Sequence, residues 1–235
     1  MPAPSLITSV QISSPWSQAP NVGIGVSTIN YASTVTTTAG DLLVGLQGGA
    51  DSAITGAITL TDGVNTYNPR TSSATASHCS IYIGTATDGA GGTRTLTWNR
   101  TSSSVAIQAG GIVFQFRDHG GVGNVFTATD GVQTGNLTCS ANSAILVICT
   151  DWNAVNGSRT WATINGASPT IVAGVDGDLS TWAAAVAYFA DVGSAGSKSI
   201  TLTAPTFTAA SFAAIEILAG AGGGGGNTLM GQVCT

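Results

Sequence analysis

Residues 92–97 read GTRTLT, and residues 196–201 read GSKSIT. Both stretches follow one pattern of glycine, hydroxyl residue, cation, hydroxyl residue, aliphatic residue and threonine. Two apolar stretches recur at a similar spacing, with LLV at 42–44 matched by ILV at 145–147 and FQF at 114–116 matched by IEI at 215–217. The sequence therefore predicts a unit of roughly 100 residues that occurs twice.

Apolar side chains fall at every second position in these stretches, as at Leu96 and Trp98 and again at Ile200 and Leu202. This alternation predicts half-buried β-strands. Clusters of Gly, Asn and Asp between the alternating runs supply tight turns. The predicted fold is all-β, with tandem duplicated antiparallel β-sandwich units of the jelly-roll or Ig-like type. One larger sandwich, in which the two halves share a core, is the alternative.

The chain divides into four predicted segments. Residues 21–118 and 119–219 form the two sandwich repeats, and residues 1–20 form an extended N-terminal arm. The stretch 6–12 of this arm alternates and is able to add one strand to a sheet. Residues 220–235 begin with a glycine run and are predicted to form a flexible tail.

Charge and hydropathy exclude several classes of function. Only 7% of the residues are charged, where about 25% is usual. The chain has six Lys and Arg residues and eleven Asp and Glu residues. No cationic stripe is available for phosphates, so nucleic acid is not an expected partner. The longest apolar runs, 144–149 and 183–190, fall short of the ~18 residues of a membrane span and predict buried strands. The N-terminus shows no secretory signal pattern, so neither a signal peptide nor a membrane contact is expected.

Four cysteines are scattered along the chain without a C-x-x-C pair. Cys79 and Cys149 lie in alternating apolar runs and are predicted to be small buried hydrophobic residues. The redox states of Cys79, Cys139, Cys149 and Cys234 are left open. Cys234 follows the glycine run, so it is predicted to be exposed and is the candidate for an intermolecular disulfide.

Catalytic side chains are sparse, and no enzymatic activity is expected. The single glutamate, Glu216, occupies the position of Gln115 in the first half, which predicts a solvent-facing site. Aspartates beside glycines are expected to stabilise turns. A hydrolase would require a cleft that gathers Asp151 with His78 or His119, and these residues form no known catalytic motif.

No cofactor is predicted, and calcium is the one metal left open. Asp176 and Asp178 present hard oxygen ligands on a glycine-containing turn, and Asp88 lies in a similar turn. The spacing matches no complete calcium-loop motif.

The exposure of the tryptophans decides whether a glycan site is possible, because sugars stack on exposed aromatic rings. Trp98 matches Leu202 and Trp161 approximately matches Ile58, so both are predicted to belong to the core. The remaining three are the candidate exposed binding aromatics: Trp16, Trp152 and Trp182.

A family resemblance rests on residues 61–67 (TDGVNTY), on a long strand with IYI at 81–83, on the strand GGTRTLT at 91–97 and on a final apolar strand. Together they resemble a β-sandwich module of virion proteins of tailed bacteriophages and of some bacterial surface proteins. The second half departs from the pattern, with INGA at 164–167 in place of the first-half turn.

The resemblance implies a non-enzymatic structural protein on the virion surface, such as a capsid decoration, head-fibre, collar or tail-associated protein. Its partners would be further copies of itself and other virion proteins. The alternative is a glycan-binding or adhesive module on a particle or cell surface.

Overall fold

The computed structural model describes most of the chain as β-structure. The described residues are 2–11, 31–51, 58–74, 79–100, 107–129, 131–151, 153, 155–175 and 183–220. They contain strands, turns and no helix. The predicted all-β class is confirmed.

Sixteen strands run through these residues. The first eight are β1 (Ser5–Gln11), β2 (Tyr31–Thr37), β3 (Leu42–Asp51), β4 (Ile58–Thr61), β5 (Asn68–Ala74), β6 (Cys79–Thr87), β7 (Gly92–Arg100) and β8 (Ile107–Arg117). The second eight are β9 (His119–Ala128), β10 (Thr134–Cys139), β11 (Ala144–Asp151), β12 (Thr160–Trp161), β13 (Thr170–Val175), β14 (Ala183–Phe189), β15 (Gly196–Ala204) and β16 (Ala210–Ala219). We call β1–β8 the first unit and β9–β16 the second unit.

Each unit is a sandwich of a five-stranded and a three-stranded antiparallel sheet. In the first unit the orders are β1-β8-β3-β6-β5 and β2-β7-β4. In a jelly roll, a sheet of strands 1, 8, 3 and 6 faces a sheet that contains strands 2, 7 and 4. An immunoglobulin-like sandwich would instead join strands 1, 2, 4 and 5 in one sheet. Of the two sandwich types, the strand order therefore matches the jelly roll, with β5 added to the larger sheet.

The second unit repeats this order. Its sheets are β9-β16-β11-β14-β13 and β10-β15-β12, which is the first-unit order with eight added to every strand number. The register agrees as well, since Leu60 pairs with Trp98 as Trp161 pairs with Leu202. Trp161 therefore matches Leu60, two residues from the Ile58 position that the sequence suggests. This repeated topology is what a duplicated unit would produce.

Three apolar layers separate the four sheets. The middle layer joins the two units, because inward side chains of β3, β6 and β8 pack against those of β11, β14 and β16: Leu42, Val44, Leu46, Ile81, Ile83, Ile112, Phe114 and Phe116 against Ala144, Leu146, Ile148, Ala184, Val186, Tyr188, Ala213, Ile215 and Ile217. The outer layers lie between each five-stranded sheet and its own three-stranded sheet. Each unit is thus a sandwich, and the two also share a core.

The close approach of the two units needs a small residue at one point. A Cβ added at Gly48 of β3 would overlap the Thr150 side chain of β11. The central strands β3, β6, β11, β14 and β16 are covered on both faces. The predicted apolar runs at 144–149 and 183–190 are buried except for Ala190, which is exposed. In the described part of the chain, no helix is long and apolar enough to cross a membrane.

The N-terminal stretch adds the strand that its alternation allows. β1 pairs antiparallel with β8, from Ser5 opposite Arg117 to Gln11 opposite Ile112. In the strand order, β1 holds the place that β9 holds in the second unit. The domain boundaries at residues 20 and 118 stay predictions, and the glycine-rich tail from 221 onward lies outside the described residues.

Candidate interaction faces

Among the residues whose side chains the structure describes, the outer surface of the first three-stranded sheet consists of threonines. Strand residues alternate between two faces, so residues 93, 95 and 97 of β7 point outward while Leu96 and Trp98 point into the core. We call this surface the first hydroxyl face: Thr34, Thr36, Thr59, Thr61, Thr93, Thr95 and Thr97, all exposed or half-exposed. No charged or large apolar side chain interrupts it among the described residues.

The second three-stranded sheet has an outer surface of the same kind. We call it the second hydroxyl face: Thr134, Asn136, Thr138, Thr160, Ser197, Ser199, Thr201 and Thr203. Its hydroxyls bond across strands, with 2.7 Å between Oγ1 of Thr134 and Thr201 and 2.9 Å between Oγ1 of Thr160 and Thr203. The two hydroxyl faces lie at opposite ends of the four-layer stack.

The cation in each repeated stretch points inward and leaves the outer face uncharged. Arg94 is buried, and its Nε and Nη2 donate to the two carboxylate oxygens of Asp88 at 2.7 and 2.8 Å. Asp88 also accepts from the backbone N–H of Ala90 and Gly91. The hydrogen bonds from Arg94 hold the pKa of Asp88 far below its usual range. Lys198 is buried at the equivalent place.

A second acidic group closes the turn between β2 and β3. Asp41 accepts from the backbone N–H of Thr38 at 2.7 Å, from the Gln115 amide and from Arg117 Nε at 2.9 Å. Burial opposes ionisation of Asp41, but these donors outweigh burial and lower its pKa. Asp41 is therefore a structural anchor for the turn.

The prediction that Glu216 faces solvent is wrong. Its side chain is 1% exposed, and its carboxylate accepts from Ser140 N at 2.5 Å, Ser143 Oγ at 2.7 Å and Asn124 N at 3.1 Å. Gln115 is equally buried. Alternation places both residues on the side of the sheet that the outer layer covers, and the neighbouring turns supply the donors.

The turn that carries the family resemblance is closed by its own aspartate. Asp62 Oδ1 accepts from the backbone N–H of Val64 and Asn65 at 2.9 and 2.7 Å. Its Oδ2 accepts from Asn65 Nδ2 at 2.8 Å and from Tyr67 Oη at 3.1 Å. Burial of the phenol and the adjacent Asp62 charge raise the pKa of Tyr67. The expected turn-stabilising role of aspartates is confirmed at Asp62 and Asp88.

The structure separates two of the residues that a hydrolase would have to bring together. Asp151 lies opposite Ala210 and His119 lies opposite Ala219, at the two ends of β16. At about 3.3 Å per residue these positions are roughly 30 Å apart. The Asp151 carboxylate accepts from the backbone N–H of Asn153, Thr208 and Ala209, and so fixes a loop.

Several predicted site residues lie outside the described residues: Trp16, Trp152, Trp182, His78, Asp176, Asp178 and Cys234. Their binding, metal and disulfide roles stay predictions. Within the described ranges, no group of three or more His, Cys, Asp and Glu side chains is placed to hold a metal ion.

The cysteine and tryptophan predictions that fall on described residues are confirmed. Cys79 and Cys149 are fully buried, and Trp98 and Trp161 belong to the two outer apolar layers. Burial, with a smaller contribution from the Glu216 charge, raises the pKa of Cys139 to about 12.

Comparisons of the chain with protein-family models, with curated proteins and with solved structures give no match. The hydroxyl faces and the strand order therefore carry the functional argument. Their sequence signal is the cation between two hydroxyl residues in GTRTLT and GSKSIT. Alternation turns that cation inward and the hydroxyls outward, and motifs of reactive side chains do not indicate such a face.

Proposed function

We propose that this protein is a non-enzymatic structural protein of a tailed-bacteriophage virion, in the capsid-decoration, head-fibre, collar or tail-associated class. It assembles through protein–protein contacts with further copies and with other virion proteins. The observation that carries the assembly role is the pair of uncharged hydroxyl faces at opposite ends of one four-layer body. A body with two such faces is able to contact a neighbour on each side.

The chemistry of the faces suits this role. Charged groups resist burial because they lose their hydration, whereas hydroxyls lose less and recover hydrogen bonds with a partner. Most charged side chains of the described residues are buried within the units, including Asp88, Arg94 and Glu216. The outer faces can therefore be covered by a neighbouring protein without desolvating a charge.

The strand order gives further support by analogy. Jelly rolls form viral capsid domains and lectin domains, although a fold alone does not determine function. The virion assignment rests on the resemblance of residues 61–67 and the following strands. The glycan-binding alternative depends on tryptophans that the structure does not describe.

Mass spectrometry of density-gradient-purified particles from cells that make this protein tests the virion assignment. We expect the chain in the particle fraction at the abundance of a structural protein, with antibody labelling on the particle surface. Recovery of the chain only in the particle-free fraction would contradict the assignment. Binding to a glycan array by that fraction would favour the adhesive alternative.

Charge substitution tests the role of the hydroxyl faces. We expect Thr95→Asp and Ser199→Asp to reduce incorporation into particles at least tenfold, because each would bury an unpaired carboxylate at a contact. Thr95→Val is the matched control, since it keeps the β-branched shape and the neutral charge. Circular dichroism should show an unchanged fold in all three variants. Normal incorporation of both aspartate variants would exclude the hydroxyl faces as contacts.

A further inference from the structure

The connection between the first and the second strand of each unit differs greatly in length between the two units. In the second unit, residues 129–133 join β9 to β10, a connection of five residues. In the first unit, residues 12–30 join β1 to β2, a connection of nineteen residues. The strand orders are otherwise equivalent.

The first unit does not need this length to span the gap. Gln11, at the end of β1, lies opposite Ile112, and Tyr31, at the start of β2, lies opposite Trp98. The Trp98 indole covers Gly111, where an added Cβ would overlap the indole nitrogen. Both ends of the connection therefore lie at one end of the sandwich, in sheets stacked about 10 Å apart. Nineteen extended residues would reach roughly 60 Å.

β1 is attached to its unit mainly along one edge. It pairs only with β8 among the described strands, and its register shifts between Leu6 and Thr8. Leu6 packs against the middle apolar layer, while the Ile7 side chain is 44% exposed. An edge strand held by one ladder can be replaced by an identical strand from another chain.

The equivalent strand β9 is fixed by several further bonds. The carboxylate of Glu216 accepts from Asn124 N, and Asn124 Nδ2 donates to Thr138 O at 2.8 Å. In the following connection, Gly131 N donates to Ala210 O at 3.1 Å. Only Asp118 separates β9 from β8. β9 likewise pairs with one strand only among the described strands, β16. Next to β1, Tyr188 Oη donates to Pro4 O at 3.5 Å. The feature that distinguishes β1 from β9 is therefore the long connection that follows it.

We propose that β1 is a strand that neighbouring copies exchange, so that Ser5–Gln11 of one copy pairs with β8 of another. This inference rests on the proposed assembly role. Because the exchanged and the closed forms make the same contacts, relative concentration decides between them. A connection of this length gives its own strand an effective concentration of the order of millimolar, and adjacent copies in an assembly reach a similar concentration. The strand is closed in dilute solution and exchanged in the assembly.

A disulfide trap tests the exchange. Ser5→Cys and Arg117→Cys face each other across the β1–β8 ladder, and Cys234→Ser removes the thiol predicted to be exposed. After oxidation in dilute solution, we expect the mass of a single chain. After oxidation of purified particles or of protein concentrated to the millimolar range, we expect at least a fifth of the chains in covalent multimers.

A shortened connection is the matched control. Deletion of residues 15–28 leaves five residues between β1 and β2, as in the second unit. This variant should give single-chain masses under every condition. Multimers from it at the level of the full chain would overturn the proposal, because the long connection would then not be the cause.

A second probe avoids the loss of Arg117. Ile7→p-benzoylphenylalanine places a photo-crosslinker on the exposed position of β1, and the mass of its product identifies the chain that holds the strand. Single-chain products from both probes in the assembled sample would overturn the exchange, even if the protein is a particle component. If the protein is absent from particles but forms covalent multimers at high concentration, the strand exchange would stand and the virion assignment would be rejected.

Discussion

The two units share one strand order and close their turns with different chemistry. The first unit buries an ion pair between Asp88 and Arg94, whereas the second has Val192 at the Asp88 position and Lys198 at the Arg94 position. The turns themselves correspond, because Asp88 N and Val192 N donate to equivalent carbonyl groups. The alternating pattern is therefore retained where the polar groups of the turns are not.

The turn before the third strand of each unit also uses different residues for the same hydrogen bond. In the first unit, Asp41 in the turn accepts from Thr38 N. In the second unit, the equivalent donor Ser140 N is bound by Glu216 from a neighbouring strand, and Ser143 replaces Asp41. The requirement common to both units is a carboxylate beside this backbone N–H. The position from which the carboxylate comes is variable.

Substitution in the middle apolar layer, which both units share, should lower the stability of the protein most. Phe114 lies in the middle apolar layer and is fully buried. Phe114→Ala should lower the free energy of unfolding by about 3–5 kcal/mol, and both units should unfold at the same lower denaturant concentration. Val64→Ala, at a side chain 63% exposed, should change the free energy by less than about 0.5 kcal/mol. Destabilisation restricted to the first unit would contradict a shared core.

Removal of one carboxylate should have a smaller effect on stability, and this effect should differ between the corresponding turns of the two units. Asp88→Asn should lower the free energy of unfolding by about 2 kcal/mol, because buried hydrogen bonds to a charged acceptor are lost. Asp191→Asn is the control in the corresponding turn of the second unit. Asp191 is exposed and accepts from Gly193 N, so a change below about 0.5 kcal/mol is expected. Equal effects of the two substitutions in denaturant titrations would remove this difference between the units.

The acidic turns of the first unit also predict a pH dependence. The pKa values of Asp41, Asp62 and Asp88 are lowered from their ordinary value of 3.8. The unfolded chain therefore takes up protons first as the pH falls. The stabilisation is complete above about pH 4 and is lost as the pH falls further, through the folded pKa values. Thermal unfolding between pH 7 and pH 2 should show this loss, and Asp88→Asn should reduce it. A midpoint independent of pH would contradict the carboxylate anchors.

Much of the fold follows from the sequence because alternation is a direct consequence of burial. Residues 92–97 and 196–201 indicate both the half-buried strands and the repeat. The approach of the units at Gly48 and Thr150 could not be predicted, because residues buried on both faces lose the alternation that indicates orientation. The burial of Glu216 could not be predicted either, for a different reason. Its partners at Ser140, Ser143 and Asn124 are distant in sequence.

The smallest effect is on thiol reactivity. Because the pKa of Cys139 is raised to about 12, its thiol should remain protonated at neutral pH and react slowly. A thiol reagent should label Cys139, Cys79 and Cys149 only after unfolding, with Cys234 labelled in the folded protein. Mass spectrometry of digested, labelled protein reports each site. Rapid labelling of Cys139 in the folded state would show that the second unit opens readily.

We infer that two equivalent jelly rolls with different turns behave as one body through their shared core. Native-state amide hydrogen exchange of the unmodified protein tests it most directly, because it reports the opening free energy of each strand. We predict one common free energy, equal to that of global unfolding, for β3 and β8 of the first unit and for β11 and β16 of the second. Exchange of one unit at a clearly lower free energy, while the other stays protected, would contradict the claim.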